Sequence, residues 1–336
     1  MKTKTVLNNL FPQMLLRGAT AFALTVAAMG VQAQQNYPNQ PIRIVVGYAA
    51  GGTTDILARS LGEQMGKILG QTIIVDNKPG AASNIGAAYV AQSKPDGYTL
   101  YMATVASHGI NPALYKGKLT FDPLKDFAPV SLVASIPLAL VTSVKLPVKS
   151  LTEFVDYARK NPGKLNYASS GNGSPGHLAA AMFYEAMKID VVHIPFKGGA
   201  LANTSVIAGD TQLTFATLPG VLPHVQSGKL NVLAVTTATR SKEIPQTPTI
   251  AEAAKLPDYE INTWNALLAP KGTPPAIVER LNAAIAQAMK SPDLIQRFER
   301  EGATPVTSTP EQLNTFIAAE IVKWGKVVDR TPMNSN

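Results

Sequence analysis

The apolar run Ile42–Val46 leads into Gly47-Tyr-Ala-Ala-Gly-Gly-Thr-Thr-Asp55, and Leu57, Leu61, Met65 and Ile68 then recur at helical spacing. This order reads as strand, glycine loop and helix, so the chain must begin as a βα unit. Gly51 and Gly52 permit close backbone approach, and the first free N–H groups of the helix, with the positive end of its dipole, point past the loop. Such a loop can cradle an anion or simply turn the chain. The motif alone does not separate the two.

The alternation continues. Thr72–Val75 predicts a second strand, Asn77-Lys-Pro-Gly80 a turn, Ile85–Ala91 a short helix and Tyr98–Ala103 a third strand. Strands alternating with helices imply a parallel sheet covered on both faces. Ligands bind such sheets at the carboxyl edge, which makes Thr104, Ser107 and His108 secondary site candidates. Hydroxyls that merely satisfy a turn are the competing reading.

The run Val130–Val141, broken by Pro137, reads as two successive strands and a crossover into a second domain. Ser150-Leu-Thr-Glu153 is a capping box that opens a helix, closed by Asn161-Pro-Gly163. The opening element is then echoed. Leu165–Ala168 is a strand, Ser169-Ser-Gly-Asn-Gly-Ser174 a loop of small donors, and Pro175 the first residue of a helix reaching Met187. A third unit follows: strand Asp190–Ile194, loop Pro195-Phe-Lys-Gly-Gly199, and a helix to Ala208. Lys197 sits inside that loop and is a candidate partner for a carboxylate, a solvated lysine being the alternative. Two glycine loops in different domains could present donors to one anion held between them.

Strands at Leu213–Phe215 and Asn231–Val235 flank a short helix at 218–223, and Thr249-Ile-Ala-Glu252 is a further capping box. Ile261–Ala269 reads as a strand returning to the first domain. Three helices complete the chain, each with proline in its first turn: Thr273-Pro-Pro275, Ser291-Pro292 and Thr309-Pro310. The last buries Leu313, Ile317, Ile321, Trp324 and Val328 on one stripe.

Residues 1–33 are set apart as a secretory signal peptide. Lys2, Lys4 and Arg17 precede the apolar stretch Ala19–Val31, and Val31-Gln-Ala33 supplies the small-residue cleavage pattern. The apolar stretch is shorter than the roughly 20 residues that span a bilayer, and no later run is long enough. The expected product is exported, makes no stable membrane insertion, and keeps roughly 300 residues, enough for two domains. Zero cysteines exclude disulfide and thiolate chemistry. The 30 Lys and Arg against 22 Asp and Glu give +8, a mild attraction for anionic small molecules. These cations are scattered and not interleaved with aromatics, so nucleic acid is not an expected partner.

The loops exclude several chemistries. Neither a Walker A Lys-Ser/Thr pair nor three-glycine dinucleotide spacing is present, so no nucleotide cofactor is expected. Asn172-Gly-Ser174-Pro-Gly176 has asparagine where a nucleophile elbow needs its first glycine, and His177 follows Ser174 too closely to be its usual base; a secreted serine esterase is a weak alternative. His108, His177, His193 and His224 are dispersed, giving no metal motif.

The chain resembles the Bug-type solute-binding proteins, the extracytoplasmic receptors of tripartite tricarboxylate transporters. The resemblance rests on residues 37–47, Ala-Gly-Gly-Thr-Thr-Asp at 50–55, Asn-Lys-Pro-Gly-Ala at 77–81, Pro-Asp-Gly-Tyr-Thr-Leu at 95–100, the run 163–174, Val-His-Ile-Pro-Phe-Lys-Gly at 192–198, and Leu-Leu-Ala-Pro-Lys-Gly-Thr-Pro-Pro at 267–275. It implies an α/β fold of the two-lobed, type II periplasmic binding protein class, with mixed, mostly parallel sheets joined by hinge crossovers. Lobe 1 would comprise 34–137 and 263–336, and lobe 2 would comprise 138–262. It also implies no enzyme activity, no cofactor, a small organic acid as ligand and the permease subunits of a tripartite transporter as partners; an extracytoplasmic sensor would use the same fold. The carboxylate would be pinched, partly through water, between Tyr48, Ala49, Ala50, Gly51, Gly52, Thr53 and Asp55 on one side and Ser169, Ser170, Gly171, Ser174 and His177 on the other, with Lys197 and Gly198 adjoining. Asp55 would brace the loop or orient water rather than touch an anion. Two departures bear on specificity: Gly47-Tyr48 stands where many members have Pro-Phe, and Phe215-Ala-Thr-Leu-Pro219 where polar residues are frequent. Tyr48 points toward an aromatic or otherwise flat acid.

Overall fold

The computed structural model describes residues 37–196 and 198–331. The expected signal peptide with its cleavage after Ala33, and the candidate Lys197, lie outside the described residues. In chain order the elements are β1 (Ile42–Val46), α1 (Thr53–Leu69), β2 (Ile73–Asn77), α2 (Asn84–Ala91), β3 (Thr99–Thr104), a π-helical turn Ala106–Ile110, α3 (Asn111–Leu114) and β4 (Phe127–Ser143). Then follow α4 (Leu151–Lys160), β5 (Asn166–Ser169), α5 (Pro175–Met187), β6 (Val192–Pro195), α6 (Gly199–Ala208), β7 (Leu213–Thr217), α7 (Leu218–Gln226), β8 (Leu230–Val235) and α8 (Ile250–Ala254). The chain closes with β9 (Asn262–Pro270), α9 (Pro275–Ala288), α10 (Pro292–Arg300), β10 (Thr304–Pro305) and α11 (Pro310–Arg330).

The fold is α/β, with two mixed sheets that share β4. In the first sheet β1 pairs in parallel with β2 and β3, while β9 runs antiparallel between β3 and β4. In the second, β5 pairs in parallel with β6 and β7, and β4 adds antiparallel beside β7 and β8. The outer strands follow the expected βα pattern, and the antiparallel pairs enter where the chain crosses between lobes. Val130–Val141 was expected as two strands broken at Pro137; β4 is instead one strand of 17 residues. Pro137 is the last β4 residue paired to β9, and from Leu138 the strand pairs with β7. Proline cannot donate to a ladder, so it marks a change of partner rather than an end.

Alternation along the strands fills both faces. Ile42, Ile44 and Val46 pack with Leu57, Leu61 and Met65 of α1 and with α9 and α10, whereas Val45 faces Ala87 and Val90 of α2. In the second sheet Ala139, Val141 and Ala168 meet Ala202 and Val206 of α6, and Leu140, Tyr167 and Phe215 meet Phe154, Leu178 and Phe183. On α11, Leu313, Ile317 and Trp324 are buried as expected. Ile321 and Val328 are half-buried, and Val327 takes the inner position. Glu320 is also buried there, its carboxylate accepting the indole N–H groups of Trp264 and Trp324 at 2.8 and 2.9 Å. The capping box at Thr249 forms, and Thr309 with Gln312 makes another, but the one at Ser150 is half made: Ser150 caps Glu153 N–H, while Glu153 turns to Lys149 N–H. No helix among the described residues is long and apolar enough to cross a membrane.

The crossovers lie side by side. The Thr236 hydroxyl is fully buried; it accepts Leu138 N–H at 3.1 Å and lies within hydrogen-bond distance of the Leu138 and Ile261 carbonyl oxygens, at 3.1 and 2.5 Å.

Candidate functional site

The loop after β1 is shaped by a buried carboxylate. Asp55 Oδ2 accepts Gly51 N–H at 2.9 Å and Arg59 Nε–H at 3.0 Å, and Oδ1 accepts the Asn77 amide at 2.9 Å. The same Asn77 amide reaches Tyr48 O at 3.0 Å, and Arg59 Nη2 lies 2.9 Å from Asp55 Oδ1. Burial opposes ionisation of Asp55, but the bonds from Arg59, Gly51 and Asn77 outweigh it and hold the carboxyl below its usual pKa. Asp55 therefore braces the loop from behind and is closed to solvent. Gly51 adopts φ +84°, a left-handed conformation that suits glycine, and nothing stands where a side chain would go. Gly52 is the N-cap of α1 and has no side chain to satisfy the first-turn N–H groups. Ala49, Ala50, Gly51 and Gly52 are exposed, Thr53 is half-buried, and the helix N-terminus opens past them.

Tyr48 is half-buried, with its hydroxyl 3.3 Å from Thr104 Oγ1, so these two candidates meet. The departure at Gly47 has a local cause. A Cβ there would overlap the Ser83 side chain, which is itself hydrogen-bonded to Tyr101 at 2.6 Å. Ala81, Ala82 and Ser83 all have positive φ, a strained run held by the Asn111 amide on Ala82 O at 2.9 Å.

Ser107 and His108, expected at the strand edge, sit behind it instead. Ser107 Oγ accepts Thr104 N–H at 3.1 Å, and His108 Nδ1 lies 3.0 Å from Ser107 Oγ. His108 is wholly buried against Phe127, Phe121 and Tyr101, and burial drives its pKa down to about 3, so the ring is a neutral core group. The π-helical turn after β3 carries these side chains inward, under α11, where Trp324 closes on Gly109.

The loop after β5 has a different brace. Ser169 is buried; its Oγ accepts Gly171 N–H at 3.1 Å, lies 3.1 Å from Gly171 O, and sits 2.6 Å from His193 Nε2. His177 Nδ1 accepts Gly173 N–H at 3.0 Å. The His177 and His193 rings stack 4.0 Å apart and nearly parallel, with Tyr167 on His193 at 4.7 Å. Ser170 is exposed, and Gly171 and Gly173 take positive φ of 130° and 70°. Gly173 also touches the other side of the molecule, since a Cβ on it would overlap Leu114. Ser174 Oγ accepts His177 N–H at 3.3 Å as the N-cap of α5. With its hydroxyl capping the helix and the His177 ring turned to Gly173, the pair has no nucleophile–base geometry. Beside this loop, α6 has Gly198 as its N-cap, with φ +117° and no side-chain cap, so a second helix N-terminus is left open.

The motifs located both loops together with Asp55 and His177, but missed the partners that complete each brace, Asn77 and His193. Asn77 and His193 lie at or near the ends of adjacent strands, β2 and β6, and only the register of β1 with β2 and β5 with β6 brings them to the loops.

A family model described as tripartite tricarboxylate transporter family receptor matches residues 57–333. BugT of Bordetella pertussis is 34% identical across 94% of this chain and 98% of its own length. Among solved structures, Rpa4515 of Rhodopseudomonas palustris, determined with adipate, superposes with a TM-score of 0.79 at 36% identity over 88% of this chain and 98% of that one. MatC from the same organism, with bound malate, gives 0.75 at 33% over 87% and 100%. The chain belongs to the tripartite tricarboxylate transporter receptor family, whose members are periplasmic solute-binding proteins and not enzymes.

Proposed function

We propose that this receptor captures a small dicarboxylate between two lobes and delivers it to the membrane permease of a tripartite transporter. One carboxylate is held between the loop Tyr48–Thr53, with the open N-terminus of α1, and the loop Ser169–Gly171, with the open N-terminus of α6. The observation that carries this reading is the pair of glycine loops, each braced from behind through its own N–H groups (Gly51 to Asp55, Gly173 to His177), one leading into and the other lying beside a helix N-terminus that has no side-chain cap. Small donors around a fixed anion leave gaps that bridging waters fill with little loss of affinity. The diacid class is favoured because adipate and malate occupy the two relatives above.

The moving units in this reading are 34–137 with 263–336, and 138–262, turning where Leu138, Thr236 and Ile261 meet. Export with cleavage after Ala33 belongs to the same proposal. Tyr48 contributes a wall, held by its hydroxyl 3.3 Å from Thr104 Oγ1. Calorimetry with adipate, malate, succinate, citrate, benzoate, glutamate and nicotinate tests the reading. Saturable binding of a diacid is the expected result; absence of binding to every acid overturns it, and preference for benzoate or nicotinate returns Tyr48 to the role of an aromatic selector.

A further inference from the structure

The second loop depends on two stacked imidazoles, and one of them, His177, must be uncharged. Gly173 N–H donates to His177 Nδ1 at 3.0 Å, so that nitrogen carries no proton. Ser169 has one hydroxyl proton to share between Gly171 O and His193 Nε2, at 3.1 and 2.6 Å. When it goes to Gly171, His193 must supply the proton of the 2.6 Å bond. Adding a proton to His177 Nδ1 would set two N–H groups against each other across 3.0 Å. The ring cannot swing away, because His193 lies face to face with it at 4.0 Å and Tyr167 backs His193. Relief must come from the loop.

Protons have a route in. Both rings line a hollow of about 460 Å³, whose other ionisable walls are Tyr167, Tyr184 and Glu185, Asp190 on the turn before β6, and Arg330 at the end of α11. None of these is hydrogen-bonded to either ring among the described residues, and the two acids are offset in part by Arg330. Tyr184 adds no charge, since burial raises its pKa well above the usual value.

We propose that the loop Ser169–Ser174 is a proton-operated release, holding its binding shape only while His177 is neutral and yielding when His177 is protonated. Burial holds both rings at a pKa of about 4, with the neighbouring His193 adding to the effect at His177, so the neutral pair is the state at neutral pH. A second charge 4.0 Å from the first opposes double protonation, and the loop lifts on the first. The consequence for affinity rests on the proposed carboxylate clamp; the loop movement itself does not.

The test uses the full mature chain, labelled with ¹⁵N and free of any acid other than buffer. Between pH 7 and 4, the Gly173 amide shift is expected to track the His177 ring titration and its exchange protection to fall with it, while the Gly51 amide stays fixed. In His177→Asn the side-chain oxygen replaces Nδ1 as a proton-independent acceptor, and Gly173 no longer responds. With adipate as probe, wild type loses affinity relative to His177→Asn by up to about tenfold per pH unit below 6.5, the titration of adipate cancelling in the ratio. His224→Asn is the control and keeps the wild-type profile. A Gly173 amide indifferent to His177 protonation, or parallel affinity profiles for wild type and His177→Asn, overturns the proposal. Should no acid bind, the clamp reading falls and the amide titration alone decides this one.

Discussion

The two glycine loops share one plan, strand then loop then helix, and are held by opposite chemistry. The first is fixed by a carboxylate that must be charged, Asp55, with Arg59 and the Asn77 amide around it. The second is fixed by two stacked imidazoles, of which His177 must be neutral to accept the Gly173 N–H. A charge-assisted brace is strong and survives until the carboxyl is protonated; a neutral imidazole brace fails in mild acid. Two similar donor loops can therefore answer differently to the same change of pH.

The largest effect is expected from removing the charged brace. Asp55→Ala deletes acceptors for Gly51, Asn77 and Arg59 at once, and should cost about 3 kcal/mol of stability in urea unfolding together with all measurable diacid binding. Gly51→Val comes next. Its φ of +84° penalises any L side chain by about 1–2 kcal/mol, and binding should vanish while the far-ultraviolet circular dichroism is retained.

Both variants touch what the sequence displayed openly. Glycines, the prolines that open α5, α9, α10 and α11, and the period-two and period-3.6 patterns are local signals, and they located nearly every element. What was hidden depends on non-local register. Pro137 looked like a break because its missing N–H is local, whereas the second sheet that takes over from Leu138 is not. His108 looked like a loop residue because nothing local announces the π-helical turn that carries it inward. Asn77 and His193 stood in the stretches 77–81 and 192–198 with nothing local to mark their role, which became visible only as they met the loops from the next strand. Asp55 was read as bracing the loop or orienting water rather than touching an anion, and its bonds to Gly51, Arg59 and Asn77 are those of a brace.

Acid sharpens the comparison further. In an unfolded chain His177 and His193 bind protons near pH 6.5, and in the native protein near 4. Between those values the unfolded state holds more protons, so stability is complete above 6.5 and declines as pH falls toward 4. The Asp55 contribution runs the other way in origin: its pKa is depressed below 3.8, so its share persists through that window and is lost only in stronger acid. Melting temperatures taken from pH 7 to 4.5 should fall for wild type and flatten when His177→Asn is combined with His193→Gln. An equal slope in the double variant would remove the contrast between the loops.

The smallest effect is expected at Gly52. Its φ of −82° is open to any residue, and a Cβ there meets only Ala49 O at 3.7 Å. Gly52→Ala should change stability by under about 1 kcal/mol, yet weaken diacid binding several-fold by placing a methyl before the helix N-terminus. Unaltered affinity would show that the anion does not approach α1.

The position of β9 carries a further consequence, for the order in which the molecule is assembled. β9 lies between β3 and β4, neighbours in sequence, yet it is made only after the whole of the second sheet. The first sheet therefore contains a gap until residues 262–270 arrive, and closing that gap joins segments far apart along the chain, an entropically slow step. During refolding, amides of β5, β6 and β7 should gain exchange protection before those of β1 and β3. The half that the chain begins is the half that it finishes last.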